Sequence, residues 1–185
     1  MFIQTEQTPN PATLKFLPGC TVMTRGTANF TDAAAADISP LAERLFALPG
    51  VGGVFLGADF ITVTKQDEDD WYHLKPAILA VIMEHFTAGR PVLARGGEDA
   101  AEGDASAEED DEVVAQIKEL LETRVRPAVA QDGGDITFED YEDGIVYLHM
   151  QGSCSGCPSS TATLKAGIEN MLRHYIPEVV EVRAV

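Results

Sequence analysis

Two cysteines three positions apart, in Gly152-Ser153-Cys154-Ser155-Gly156-Cys157-Pro158-Ser159-Ser160, are the residues of this chain best suited to chemistry. A Cys-x-x-Cys spacing lets two thiolates converge on one metal ion or cluster, and it equally serves thiol–disulfide exchange. Gly152 and Gly156 let the backbone curl around a ligand, and Pro158 presets the dihedral of a helix start. A helix beginning there would aim its first amides at negative sulfur and favour the thiolate form. On spacing alone, metal or cluster binding, disulfide exchange and a purely structural role all stay open.

Counting ligands narrows the arrangement. A tetrahedral zinc site or an iron–sulfur cluster takes about four protein ligands, and one chain offers two here. Two copies related by a two-fold axis would supply four identical thiolates, so the count implies a homodimer. An intramolecular site would have to recruit histidine or the third cysteine. His149 falls in a predicted strand and His174 late in the following helix, and neither has the His-x-x-x-His spacing of zinc fingers. His73 and His85 are lone residues near an earlier helix, so ordinary surface or packing roles fit all four histidines. Cys20, in Pro18-Gly19-Cys20-Thr21, stands apart from the motif and reads as a packing cysteine. Asp132 and Asp135 could be a carboxylate pair for acid–base work, but the glycines between them favour a turn. No phosphate loop or Ser-His-Asp arrangement is apparent.

The elements that must position Cys154 and Cys157 follow from periodicity. Val113, Val114, Ile117, Leu120, Leu121 and Val125 trace one helical face, which ends near Asp132-Gly133-Gly134, where glycine takes a left-handed cap. The period then changes to two around Ile136 and Phe138; Asp143-Gly144 signals a tight turn, and Ile145 to Met150 returns the hairpin. After the cysteines, Leu164, Ile168, Met171, Leu172 and Tyr175 make a second apolar helical face, and Val179 to Val185 reads as a last strand. The order is α-β-β-α-β over 113–185.

The first half reads as a separate α+β domain over 1–95. Strands are expected at Phe2–Thr5 and Thr13–Leu17, either side of Pro9-Asn10-Pro11. Ser39-Pro40 marks a capped helix start with Leu41, Leu45 and Leu48 on one face, stopped by Pro49-Gly50. A hairpin is expected from Val51–Leu56 and Phe60–Thr64, and a second helix near Pro76 carries Ile78, Ile82 and Phe86. No reactive constellation is visible in this half.

Composition bounds the function. The chain has 185 residues, 45% of them hydrophobic, enough for two small cored domains. Its net charge of -17 repels polyanions, so nucleic acid and anionic membrane are excluded as expected partners. The acidity is concentrated: 96–112 holds nine acidic residues, no basic one and no large apolar side chain, the mark of an extended, flexible linker. The longest apolar run, Ala77 to Met83, is far below the roughly 20 residues needed to span a bilayer. The opening residues lack a basic region or a long apolar stretch, so no signal or transit peptide is expected and the thiols are expected to stay reduced.

Two runs carry a family resemblance. Val125-Arg126-Pro127-Ala128-Val129-Ala130-Gln131-Asp132-Gly133-Gly134-Asp135-Ile136, followed by Leu148-His149-Met150-Gln151-Gly152-Ser153-Cys154-Ser155-Gly156-Cys157-Pro158-Ser159-Ser160-Thr161-Ala162-Thr163-Leu164-Lys165, closely resembles the C-terminal domain of NifU-like (Nfu) iron–sulfur cluster scaffold proteins. Gln4-Thr5-Glu6-Gln7-Thr8-Pro9-Asn10-Pro11-Ala12-Thr13-Leu14-Lys15-Phe16-Leu17-Pro18-Gly19 resembles the N-terminal domain of mitochondrial and related bacterial Nfu proteins. The resemblance implies a transfer protein rather than an enzyme. Cys154 and Cys157 of two protomers would hold a labile 4Fe-4S cluster at a dimer interface, taken from upstream cluster-assembly proteins and passed to apo iron–sulfur client proteins. It implies client recognition by the N-terminal domain and gives Cys20 no ligand role. The form of the opening favours a bacterial cytoplasm, with the mitochondrial matrix as the setting of a processed eukaryotic chain.

Overall fold

The computed structural model describes residues 1–94, 111–155 and 158–185, with side chains given for all but 158–160. The acidic linker expected over 96–112 lies outside the described residues except for Asp111 and Glu112. The chain divides into two compact units, Met1–Asp104 and Ala105–Val185.

The first unit is a five-stranded antiparallel sheet with helices. Its strands are β1 (Gln4–Gln7), β2 (Thr13–Leu17), β3 (Ala28–Phe30), β4 (Val51–Leu56) and β5 (Ile61–Lys65), in the order β1-β2-β5-β4-β3. Helix α1 (Pro40–Phe46) starts where the Ser39-Pro40 signal places it. The Ser39 hydroxyl accepts from the Ala42 amide at 3.1 Å and donates to the Val92 carbonyl at 2.6 Å, so one fully buried side chain caps the helix and ties down the chain at Val92. Helix α2 (Trp71–Thr87) begins five residues before Pro76 rather than near it. Asp70 is the reason: its carboxylate accepts from the Tyr72 amide at 3.0 Å, so Pro76 lies within the helix and forgoes a backbone bond there. Strand β1 is displaced two residues from the expected Phe2–Thr5, because pairing with β2 runs Gln4 to Leu17 through Gln7 to Leu14 and leaves Phe2 79% exposed. Phe16, Leu41, Leu45, Leu56, Ile61, Ile78 and Ile82 are fully buried in this unit's core. Each such side chain contributes about 1.5–3 kcal/mol of burial.

The second unit has the expected α-β-β-α-β order. A helical run comprises α3 (Glu112–Leu120), a π-helical turn (Leu121–Val125) and α4 (Arg126–Gln131). The wide turn has a local cause: Pro127 cannot donate to the carbonyl four residues back and its ring crowds that carbonyl, so the Arg126 amide reaches Leu121 instead. Val125 and Val129 still bury beside Ile117 and Leu121. Strands β6 (Gly134–Glu142) and β7 (Ile145–Gly152) form the hairpin, and their turn puts Asp143 at φ 51° and Gly144 at φ 81°, the left-handed pair a two-residue loop needs. Helix α5 (Pro158–Tyr175) crosses back to β8 (Glu181–Ala184), which lies parallel to β7, giving the order β6-β7-β8. Val146, Leu148 and Met150 alternate on β7 toward the core, with Ile168, Leu172 and Ile176 also buried in it.

Candidate functional site

The loop between β7 and α5 carries the cysteines, and its first half is held by short-range bonds. Gly152, at φ 64°, turns the chain out of the strand. Its carbonyl accepts from the Ser155 amide at 3.2 Å and the Ser155 hydroxyl at 3.0 Å, and the Thr161 hydroxyl reaches back from α5 to the Cys154 carbonyl at 3.0 Å. Ser153 docks the loop onto the turn after α4: its amide donates to the Gly133 carbonyl at 3.2 Å and its hydroxyl to the Asp132 carbonyl at 2.5 Å.

The two glycines of that turn serve different needs. Gly133 sits at φ 81°, the left-handed cap that ends α4. Gly134 is needed for space: a Cβ there would stand 2.5 Å from Cys154 Sγ and 2.9 Å from the Gln151 carbonyl oxygen. The Gly-Gly pair and Cys154, some 20 residues apart in sequence, are thus one packed unit.

Cys154 is 6% exposed and packs in the second core. Burial pushes its thiol up to about 11; the Asp132 and Asp135 carboxylates add to the shift and a hydrogen bond with Ser153 opposes it. At Cys154 this burial opposes the thiolate that the following helix was expected to favour. Cys157, the second sequence-predicted ligand, lies outside the described residues.

Other candidates are not gathered here. Cys20 is half-buried in the first unit, less enclosed than a packing cysteine was expected to be. His149 is half-buried on β7, out of phase with the buried Leu148 and Met150. His174 is exposed against Tyr175, and His73 is exposed against Tyr72. His85 is fully buried in the first unit, its Nε2 donating to the Pro91 carbonyl at 3.0 Å, and burial holds its pKa down. Among the described residues no three of His, Cys, Asp and Glu stand close enough to hold a metal ion.

Asp132 and Asp135 are no acid–base pair. Asp132 is the exposed C-cap of α4, in agreement with the turn reading. Asp135 lies beyond the turn, buried in β6, where Arg126 grips both carboxylate oxygens at 2.9 Å. Sequence reasoning missed this ion pair. The available signal was an arginine in the last helical segment before a Gly-Gly turn, nine residues ahead of an aspartate on the next strand.

Comparison with known proteins covers both units. Residues 3–89 match the family model for the scaffold protein Nfu/NifU N terminal, and residues 117–183 match the NifU-like domain. The human protein named NFU1 iron-sulfur cluster scaffold homolog, mitochondrial, is 56% identical over all of this chain, which spans 72% of its length. NifU-like protein 5, mitochondrial, of Arabidopsis thaliana is 55% identical over 97% of this chain, which spans 66% of that protein, just under two thirds. The solution structure of a NifU-like protein from Saccharomyces cerevisiae aligns with 51% of this chain and 86% of its own, at 26% identity and a TM-score of 0.46. On the two domain matches and the full-length identity to the human relative, the chain belongs to the Nfu/NifU family of scaffold proteins.

Proposed function

We propose that the chain is an iron–sulfur cluster carrier in which Cys154 and Cys157 of two protomers hold a labile 4Fe-4S cluster, received from upstream assembly proteins and passed to apo-proteins during their maturation. The observation that carries this reading is the seat of Cys154, a buried thiol on a loop locked against the Asp132–Gly134 turn, within the residues that match the NifU-like domain. A sulfur 6% exposed offers a substrate disulfide little access, which disfavours Cys154 as the attacking nucleophile of disulfide exchange, the rival use of a Cys-x-x-Cys pair. As a ligand the thiol loses its proton to water as the metal takes its place on sulfur, so binding depends on pH and is not prevented by burial. The relatives' names, which specify an iron–sulfur cluster scaffold, support the cargo.

Two motif cysteines per chain support sharing across a dimer, and sharing suits a carrier. Cargo held at an interface is released when the protomers part or when a client thiolate displaces one cysteine. The first unit is proposed to recognise clients, and the acidic 96–112 stretch to tether the two activities and so raise the local concentration of cargo near its recipient. The role is that of a carrier, not a catalyst. The compartment proposed is one that keeps thiols reduced, the bacterial cytoplasm or the mitochondrial matrix, and the names of the relatives favour the latter.

The test is transfer. Protein reconstituted with ferrous iron and sulfide is mixed anaerobically with an apo 4Fe-4S enzyme in the presence of an iron chelator. The recipient gains activity with the wild-type donor and none with Cys154→Ser or Cys157→Ser. Activation no faster than that from free iron and sulfide contradicts the carrier reading, and a colourless dimer containing zinc would replace it with a structural metal site.

A further inference from the structure

Arg126 has a place in the second unit that the cysteine pattern does not explain. It opens α4 directly after the π-helical turn, and its guanidinium faces two carboxylates. Nε and Nη2 donate to Oδ1 and Oδ2 of Asp135, both at 2.9 Å, while Nη1 meets Glu122 one turn back. The Asp135 side chain is 5% exposed, and its Oδ1 also accepts from the Ile136 amide at 2.8 Å. A planar fork on a buried carboxylate fixes orientation as well as charge. Here it closes a loop: Arg126 is on the helix entering the Asp132–Gly134 turn, and Asp135 is the first residue after it.

That same turn supports the cysteine loop through three contacts. The Asp132 carbonyl takes the Ser153 hydroxyl, the Gly133 carbonyl takes the Ser153 amide, and Gly134 leaves the space into which Cys154 Sγ fits. All three fall on residues held between the two ends of the Arg126–Asp135 pair.

We propose that Arg126 is a positioning residue for Cys154, acting through Asp135 and the Asp132–Gly134 turn without touching the sulfur. The inference rests on the reading of Cys154 as a ligand. With the fork in place the turn presents fixed carbonyls to Ser153, and the thiol stays in its seat. Without it the turn and the loop docked on it separate from the core together, and Cys154 becomes accessible to solvent.

The experiment reads thiol access in iron-free protein. In the full chain carrying Cys20→Ser and Cys157→Ser, Cys154 is the one remaining thiol, and its alkylation by iodoacetamide is timed at fixed pH. Arg126→Gln is expected to raise the rate by at least about tenfold, the scale of one lost charge-assisted hydrogen bond. Arg126→Lys keeps the charge but not the fork and falls between that variant and wild type. The paired Arg126→Met/Asp135→Leu variant leaves no buried charge orphaned, Glu122 being solvent-exposed, so its urea midpoint returns toward wild type while its alkylation stays fast. Rates that track the urea midpoint in every variant would overturn the proposal and leave the pair with fold stability alone. An unchanged rate in the paired variant would overturn it as well. No iron enters the measurement, so failure of the cluster reading and failure of this inference are seen separately.

Discussion

Replacing Gly134 by alanine is the most informative single change in the second unit, because the added Cβ meets the cysteine loop itself. Gly134 is not among the glycines at positive φ, so alanine meets no backbone strain there. The added Cβ stands 2.5 Å from Cys154 Sγ and 2.9 Å from the Gln151 oxygen. Ordinary non-bonded carbon contacts lie at about 3.5–4.0 Å, so the cysteine loop must retreat by roughly 1 Å. Overpacking of this kind costs about 1–3 kcal/mol. Urea unfolding followed by two signals isolates the effect. Trp71, the chain's one tryptophan, reports the first unit, and far-ultraviolet circular dichroism reports both. Gly134→Ala should shift the dichroism transition and leave the Trp71 transition in place. Cys154→Ala in the same background removes the sulfur and should recover part of the loss, the clash with the Gln151 oxygen remaining. The two substitutions are therefore expected to couple by about 1 kcal/mol, above the roughly 0.3–0.5 kcal/mol within which independent sites add. Additive effects would refute the claim that Gly134 exists to seat Cys154.

Three further outcomes are expected. A thiol whose pKa is raised on folding contributes stability that is complete below its unfolded value and is lost as pH rises through its folded value. Wild type should therefore lose about 2 kcal/mol relative to Cys154→Ser between pH 9 and about 11, read by urea midpoints from dichroism; parallel curves would contradict the burial of Cys154. Ser39→Ala removes the α1 cap and a bond to Val92 and should lower the Trp71-detected stability by about 1–2 kcal/mol, with the second unit's transition unmoved. Cys20→Ser should leave iron and sulfide stoichiometry after reconstitution unchanged, since Cys20 lies in the first unit; a drop would draw it into the site.

Much of this architecture was legible in short stretches of sequence because the signals are local. Ser39-Pro40 sets a cap and a first-turn proline within two residues, and Asp143-Gly144 supplies both left-handed positions of a hairpin. What escaped depends on partners distant in sequence or on competing local terms. Strand β3 is three residues long and is defined by pairing with β4, more than 20 residues on. Helix α2 starts at an aspartate cap that outranks the more conspicuous proline. The π-helical turn keeps an apolar period close enough to 3.6 to read as an unbroken helix. At the site, the motif pointed to Cys154, but the depth of its burial is set by the Gly134 contact and the Arg126–Asp135 pair, which no spacing rule links to a cysteine. At Cys154 burial opposes the thiolate that the helix start suggested: the helix start was visible in the sequence and the desolvation was not.

Anaerobic reconstitution with ferrous iron and sulfide tests the central claim most directly. Wild type, Cys154→Ser and Cys157→Ser are compared by iron and sulfide content, absorption and Mössbauer spectra, and size. The account predicts a brown dimer with about four irons per two chains and the loss of both colour and dimer in each variant. A wild-type protein that stays colourless and monomeric, or a Cys154→Ser protein that retains its iron, would contradict it.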